Sequence, residues 1–159
     1  MGVTIGFISA TTEELDRAEK DPSWADEYIS ELYSRDDFPT RPHGDPDKAW
    51  GGLQFLLDET DVYLDFLMDG SPILEDGTLF GWSAEQIESL ARQLRATPWE
   101  ELAAHYDPER MTKEGVYPSV WRFDPEGELE WLKSAYEELV AFLSEAAEGG
   151  YGAFMSFSF

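Results

Sequence analysis

Pro42 to Asp47, PHGDPD, sets an imidazole and two carboxylates on alternate residues: His43, Asp45 and Asp47. In a loop such spacing can converge on a cation, and one imidazole with two carboxylates suits a first-row metal. Asp45-Pro46 is equally the pattern of a helix N-cap and its first helical residue, and no fourth ligand is identifiable. Capping beside an exposed histidine is the preferred reading, and no metal or cofactor is assigned. Asp124–Glu128, DPEGE, is rich in oxygen but lacks the twelve-residue spacing and closing bidentate glutamate of a calcium loop. Acids at the positive end of a following helix explain it more simply.

Other constellations carry less. Adjacent carboxylates recur at Glu13-Glu14, Asp36-Asp37, Glu100-Glu101 and Glu137-Glu138. General acid and base work needs two carboxyls held in different environments, and with 34 acids in the chain pairs arise by chance. His105 has no nucleophile elbow to serve, because Ser119, Ser134 and Ser144 lie outside any Gly-x-Ser-x-Gly context. Gly149–Gly152, GGYG, precedes a strand rather than a helix, so neither phosphate-binding glycine motif is present. No catalytic residue is assigned.

The aromatics remain. Trp50, Tyr117 and Trp121 stand near Lys48 and Arg122, two of only 11 basic residues. Gly51 and Gly52 sit side by side within what reads as a helix, where each costs about 1 kcal/mol relative to alanine. Something must approach that helix closely. The simplest occupant is a packed neighbour lying on bare backbone. The alternative is a groove floored by that backbone and walled by Trp50, Tyr117 and Trp121, with Lys48 and Arg122 as anchors for an anionic ligand. Packing is the preferred reading; Lys48, Trp50, Gly51, Gly52, Tyr117, Trp121 and Arg122 form the candidate pocket or interface.

The elements that must position these residues follow from periodicity and caps. Gly2–Ser9 alternates and is rich in Val, Ile and Phe, which predicts a strand. Thr11 and Glu14 form a capping-box pattern that starts a helix. Asp21-Pro22 opens a second helix to about Tyr33, and Ser34–Asp47 reads as a loop. Asp45-Pro46 is expected to open the Gly-Gly helix. Asp61–Gly70 fits either a strand or a short helix, and Gly77–Trp82 a short strand. Ser83 and Thr97 are expected N-caps of two further helices, and Asp107-Pro108 begins another short one. Val116–Phe123 reads as extended, at an edge because of Pro118. The longest helix runs from about Glu126 to Glu148, is stopped by Gly149-Gly150, and is followed by a final strand expected inside the sheet. Strands at both ends with helices between them predict one mixed α/β domain over residues 1–159.

Several of these segments resemble the YfbM-like family, domain of unknown function 1877. They are the strand Met1–Ile8, Lys48 and Trp50, the turn Tyr106 to Met111, Tyr117-Pro118, the Leu-rich helix Glu128–Ala147 and the strand Gly152–Phe159. The resemblance implies a three-layer α/β/α sandwich, a mixed sheet with helices on both faces. It implies no activity. The family helix usually carries histidines after its tryptophan, where this chain has Gly51, Gly52 and Gln54.

Composition bounds the rest. At 159 residues and 42% hydrophobic, the chain can bury a core without staples. It has no cysteine, which excludes disulfides, thiolate zinc sites and cysteine nucleophiles. No apolar run approaches a membrane span, and the N-terminus lacks a signal-peptide pattern, so a cytoplasmic location is expected. The formal net charge of −23 opposes nucleic acid and anionic membranes and would steer in a basic protein. It equally suits solubility or adaptation to salt. The leading reading is a non-catalytic binding or interaction protein, in its most specific form an acidic partner or inhibitor of a basic protein, as immunity proteins are for nucleases. The alternative is a small-molecule-binding protein or enzyme using the aromatics around Trp50, Tyr117 and Trp121.

Overall fold

A computed structural model describes residues 2–35 and 41–159. The Asp36-Asp37 pair lies outside the described residues. The elements run β1 (Thr4–Ala10), α1 (Thr12–Lys20), α2 (Pro22–Ser34), β2 (His43–Asp47), α3 (Trp50–Asp58), β3 (Ser71–Pro72), β4 (Leu79–Trp82), α4 (Ala84–Arg95), α5 (Trp99–Ala103), α6 (Pro108–Lys113), α7 (Pro125–Glu148) and β5 (Gly152–Ser158).

The sheet has the order β2-β1-β5-β4-β3. The final strand is internal, as its apolar composition predicts, and it pairs with β1 from Thr4↔Ser158 to Ala10↔Gly152. Every pairing is antiparallel, so the sheet is not the mixed one expected from the resemblance. Strand alternation sorts the side chains into two cores. Ile5, Phe7, Met155, Phe157 and Trp82 face a large cluster with α3, α4 and α7. Ile8, Ala10, Leu79 and Phe154 face a smaller one with α1 and α2. The domain is therefore α+β with helices on both faces of one sheet, and the period-2 pattern of the strands is what divides its layers.

Most helix starts follow their caps. Thr11 Oγ1 accepts from the Glu14 amide at 3.1 Å while Glu14 Oε1 accepts from the Thr11 amide at 2.9 Å. Ser83 and Gln86 repeat that reciprocal box at α4. Asp21, Asp107 and Asp124 cap helices that have proline in their first turn.

Three boundaries depart from expectation, where strand pairing, a competing local bond or packing on a neighbouring helix prevails over the local pattern. Asp45-Pro46 does not open α3. His43–Asp47 is drawn into the sheet as an edge strand on β1, where Pro46 is tolerated, and α3 starts at Trp50 with no side-chain cap. Thr97 does not cap α5. Its hydroxyl donates back to the Gln93 carbonyl at 2.9 Å, closing α4, and Pro98 stands at the cap instead. Val116–Phe123 is not extended. It folds as consecutive turns with a cis Tyr117-Pro118 bond and Ser119 at φ 67°. Asp61–Gly70 is neither strand nor helix. Among the described residues no helix is long and apolar enough to cross a membrane.

Candidate interaction surface

The glycine pair has a plain physical cause. A Cβ on Gly51 would stand 2.4 Å from the Tyr117 carbonyl oxygen, and one on Gly52 would stand 2.5 Å from Trp121 Cη2. The turn segment 116–121 thus lies directly on the backbone of α3. Trp50 stacks on Tyr117 with ring centroids 5.5 Å apart and donates from Nε1 to the Val3 carbonyl at 3.0 Å. The Tyr117 hydroxyl accepts from the Val3 amide at 2.7 Å, and Lys48 lies beside that hydroxyl at the position of Gly2. Trp121, fully buried, donates to the Val116 carbonyl at 2.9 Å and stacks on Trp131. The structure therefore brings Lys48, Trp50, Gly51, Gly52, Tyr117 and Trp121 together. Arg122 points elsewhere, into a depression with Lys113. Four depressions of the described surface are lined by residues other than Trp50, Tyr117 and Trp121.

The metal-like residues are also placed. His43, Asp45 and Asp47 lie along β2, and Asp45 Oδ1 accepts from the Asp47 amide at 3.2 Å. Burial, then the charge of Asp47, raise the Asp45 carboxyl above its ordinary pKa. Among the described residues no group of three or more potential ligands is placed to hold a metal ion.

A different surface stands out. Between α3 and β3 the chain runs from Glu59 to Gly70 without regular structure, and its backbone is held by side chains reaching out of the neighbouring helices. Gln54, on α3, does most of this. Its Oε1 accepts from the Phe66 amide at 2.9 Å, and its Nε2 donates to the Leu64 carbonyl at 2.8 Å and to Asp58. Gln93 Oε1 accepts from the Tyr63 amide at 2.7 Å, and Gln86 Nε2 donates to the Asp69 carbonyl at 3.0 Å. Asp65 accepts from the amides of Leu67 and Met68, and Asp69 accepts from that of Asp65. Leu64 and Phe66 plug the core, so the loop is pinned from within as well.

What the pinned loop shows to solvent is apolar. Tyr63 is 85% exposed, Met68 76% and Leu67 49%. Around them stand Asp58, Asp61, Asp65 and Asp69. Large side chains on a loop fixed by a rigid scaffold are the usual material of recognition sites. The sequence hides this surface, because Val62, Leu64, Phe66 and Met68 alternate as if all four faced one way, whereas Leu64 and Phe66 are buried and Met68 is exposed. The available signal was Gln54, a polar residue on the apolar side of α3.

A second polar cluster lies on the far side of the sheet. Glu14 is held by Arg41 at 2.6 and 3.2 Å, by the Thr11 amide and by the Tyr28 hydroxyl. Burial works to raise the Glu14 pKa, but these hydrogen bonds outweigh it and bring the carboxyl down from 4.5 to about 2. The cluster ties α1 and α2 to Arg41, which leads into β2.

The class this defines is a single-sheet α+β domain with a two-sided core and a displayed acidic, apolar loop. The chain belongs to the family described as domain of unknown function DUF1877, whose profile matches residues 1–155. Its fold is similar to that of a protein of unknown function, YfbM from Escherichia coli, with a TM-score of 0.72 at 17% identity, covering 98% of this chain and 99% of that one. No curated protein matches.

Proposed function

We propose that this protein is a non-catalytic interaction module of the cytoplasm that docks a basic protein through the Glu59–Gly70 loop. The observation that carries the reading is the combination of exposure and fixation at Tyr63, Leu67 and Met68. A loop backbone that is already fixed loses little entropy on binding, so the apolar area it carries converts more efficiently into affinity. The four surrounding aspartates and the net charge of −23 supply the long-range attraction that selects a basic partner and speeds encounter. A small-molecule or enzymatic role for Trp50, Tyr117 and Trp121 would require rings that now satisfy one another and the Val3 backbone to open around a ligand.

The test is capture from source cells at physiological ionic strength, run in parallel with the wild type and with a Tyr63→Ser/Met68→Ser variant. One basic protein retained stoichiometrically by the wild type and lost by the variant is the expected result. Retention that ignores the two substitutions, or only proteins that wash away as salt rises, overturns the proposal.

A further inference from the structure

The chain's few cations are unevenly used. Arg41 pairs with Glu14, Arg35 with Glu31, and Arg110 with both Glu59 and Glu114. The other eight of the 11 cations make no ion pair among the described residues; two of these, Lys113, less than one helical turn from Arg110, and Arg122, are brought together. Both line the same depression of about 570 Å³, with Pro108, Glu109, Thr112 and Pro125 completing it. That volume is within the range of small-molecule sites.

The depression is built rather than incidental. Two Asp-Pro helix starts supply its opposite walls, Pro108 from α6 and Pro125 from α7. Their first turns are locked by Asp107 and Asp124, whose side chains accept from the Arg110 and Gly127 amides. The Tyr106 hydroxyl donates to the Pro125 carbonyl at 2.7 Å, fixing the start of α7 against the residues that lead into α6. Thr112 donates back to the Pro108 carbonyl, so its hydroxyl hydrogen is already committed. The free donors presented to a ligand are therefore the Lys113 ammonium and the Arg122 guanidinium, set between rigid apolar walls. Glu109 is the one acid of the lining and opposes them with a single charge.

We propose that this depression binds a small organic oxyanion, a phosphate or carboxylate carried on a compact apolar body. Arg122 would take the anion through its forked donors, Lys113 would add a point charge, and the proline walls would cover the apolar part. Phosphate and carboxylate share this recognition chemistry. The proposal is independent of the protein-docking reading, because it uses neither the Glu59–Gly70 loop nor its acids.

The experiment is a titration of the full chain, at constant ionic strength, with phenyl phosphate, benzoate and inorganic phosphate, followed by backbone amide NMR shifts. The expected result is saturable shifts confined to residues 106–127. Phenyl phosphate binding more tightly than benzoate would name the phosphate source, and the reverse order the carboxylate source. Both should bind at least severalfold more tightly than inorganic phosphate, because only they fill the apolar walls. Arg122→Gln and Lys113→Gln should each weaken binding at least fivefold without moving the unfolding midpoint, since neither side chain holds a partner among the described residues. Shifts that rise linearly without saturation, spread over the surface, or persist in the Arg122→Gln/Lys113→Gln double variant would overturn the proposal.

Discussion

Two apolar clusters flank α3 and use their residues in opposite ways. On its N-terminal side, Trp50, Tyr117 and Trp121 direct every polar tip inward: one indole to Val3, one to Val116, and the phenol to the Val3 amide. Beyond its C-terminal end, Tyr63 and Met68 point outward, and their hydroxyl and thioether have no hydrogen-bond partner among the described residues. The first cluster is held together by its own side chains. The second is held by borrowed ones, Gln54, Gln86 and Gln93. An aromatic whose polar handle is satisfied within the fold serves stability. An exposed one, on backbone fixed by other residues, is available for contact, as the proposed docking requires.

The sharpest way to break this comparison is to fill the space that the first cluster requires. Gly52→Val would push two methyl groups into Trp121 and Leu132, which a Cβ alone would meet at 2.5 and 2.7 Å. Overpacking of this kind should cost about 3 kcal/mol, well above the roughly 1 kcal/mol that replacing a helical glycine can return. Urea unfolding should show a lower midpoint at unchanged slope. A neutral outcome would mean that the 116–121 segment is not clamped on α3.

The next effect is at the hinge between the two clusters. Gln54→Leu keeps the size of the side chain and removes both of its bonds to the loop. The Phe66 amide then loses its acceptor, at a cost of about 2 kcal/mol for a buried donor left unpaired. Hydrogen exchange at Phe66 should accelerate far more than at the buried strand β5. Partner affinity should fall as well, although Gln54 itself is not displayed. If loop exchange were unchanged, the loop would be fixed by Leu64 and Phe66 alone.

Gln54 also marks the limit of what the sequence makes legible. Strands, caps and the long helix could be read because each depends on neighbours a few residues away: Thr11 with Glu14, Ser83 with Gln86, Asp124 with Pro125. The internal place of β5 was legible from its place as a terminal, mostly apolar strand, GAFMSFS, in a mixed α/β chain. The edge strand His43–Asp47 was not, since its composition of acids, glycine and proline says loop, and only pairing with β1 makes it a strand. Gly51 and Gly52 signal a close neighbour from the sequence alone; Lys48, Trp50, Tyr117 and Trp121 lie at that contact, whereas Arg122, adjacent to Trp121 in sequence, points away from it. The order of the loop that displays Tyr63 is not legible locally, because it comes from Gln54, Gln86 and Gln93, 10 to 30 residues away in sequence. Long-range side-chain bonds to backbone leave no period to detect.

A third test leaves both clusters intact and asks what holds the opposite face. Glu14 titrates from about 2 in the folded protein against an ordinary 4.5. A carboxyl depressed on folding adds stability that is fully present above pH 4.5 and disappears as pH falls toward 2. Allowing for solvent screening, its share is about 1–2 kcal/mol. The other acids repel one another and pull the opposite way on protonation, so the difference between wild type and Glu14→Gln carries the sign. That difference should be largest at neutral pH and shrink between pH 4.5 and 2. A difference independent of pH would show that the Arg41–Glu14–Tyr28 cluster acts through shape rather than charge.

The smallest expected effect on stability is the most informative for function. Tyr63→Ser removes a large aromatic ring, which at a buried site would cost about 3–5 kcal/mol. At 85% exposure it should change the unfolding free energy by no more than about 0.5 kcal/mol. Its effect on partner binding should be disproportionate, about 2 kcal/mol or a thirtyfold rise in Kd, as expected for an aromatic anchor at an interface centre. Adding Met68→Ser should deepen the binding loss and still spare the fold. Tyr117→Ser supplies the contrast within one residue type, since there the ring stacks on Trp50 and the hydroxyl holds the Val3 amide. If the two substitutions destabilised the protein equally, exposure would have misidentified the ring set aside for a partner. Loss of stability at Tyr117 without loss of binding, and the reverse at Tyr63, would establish that the two sides of α3 divide holding the domain together from presenting it.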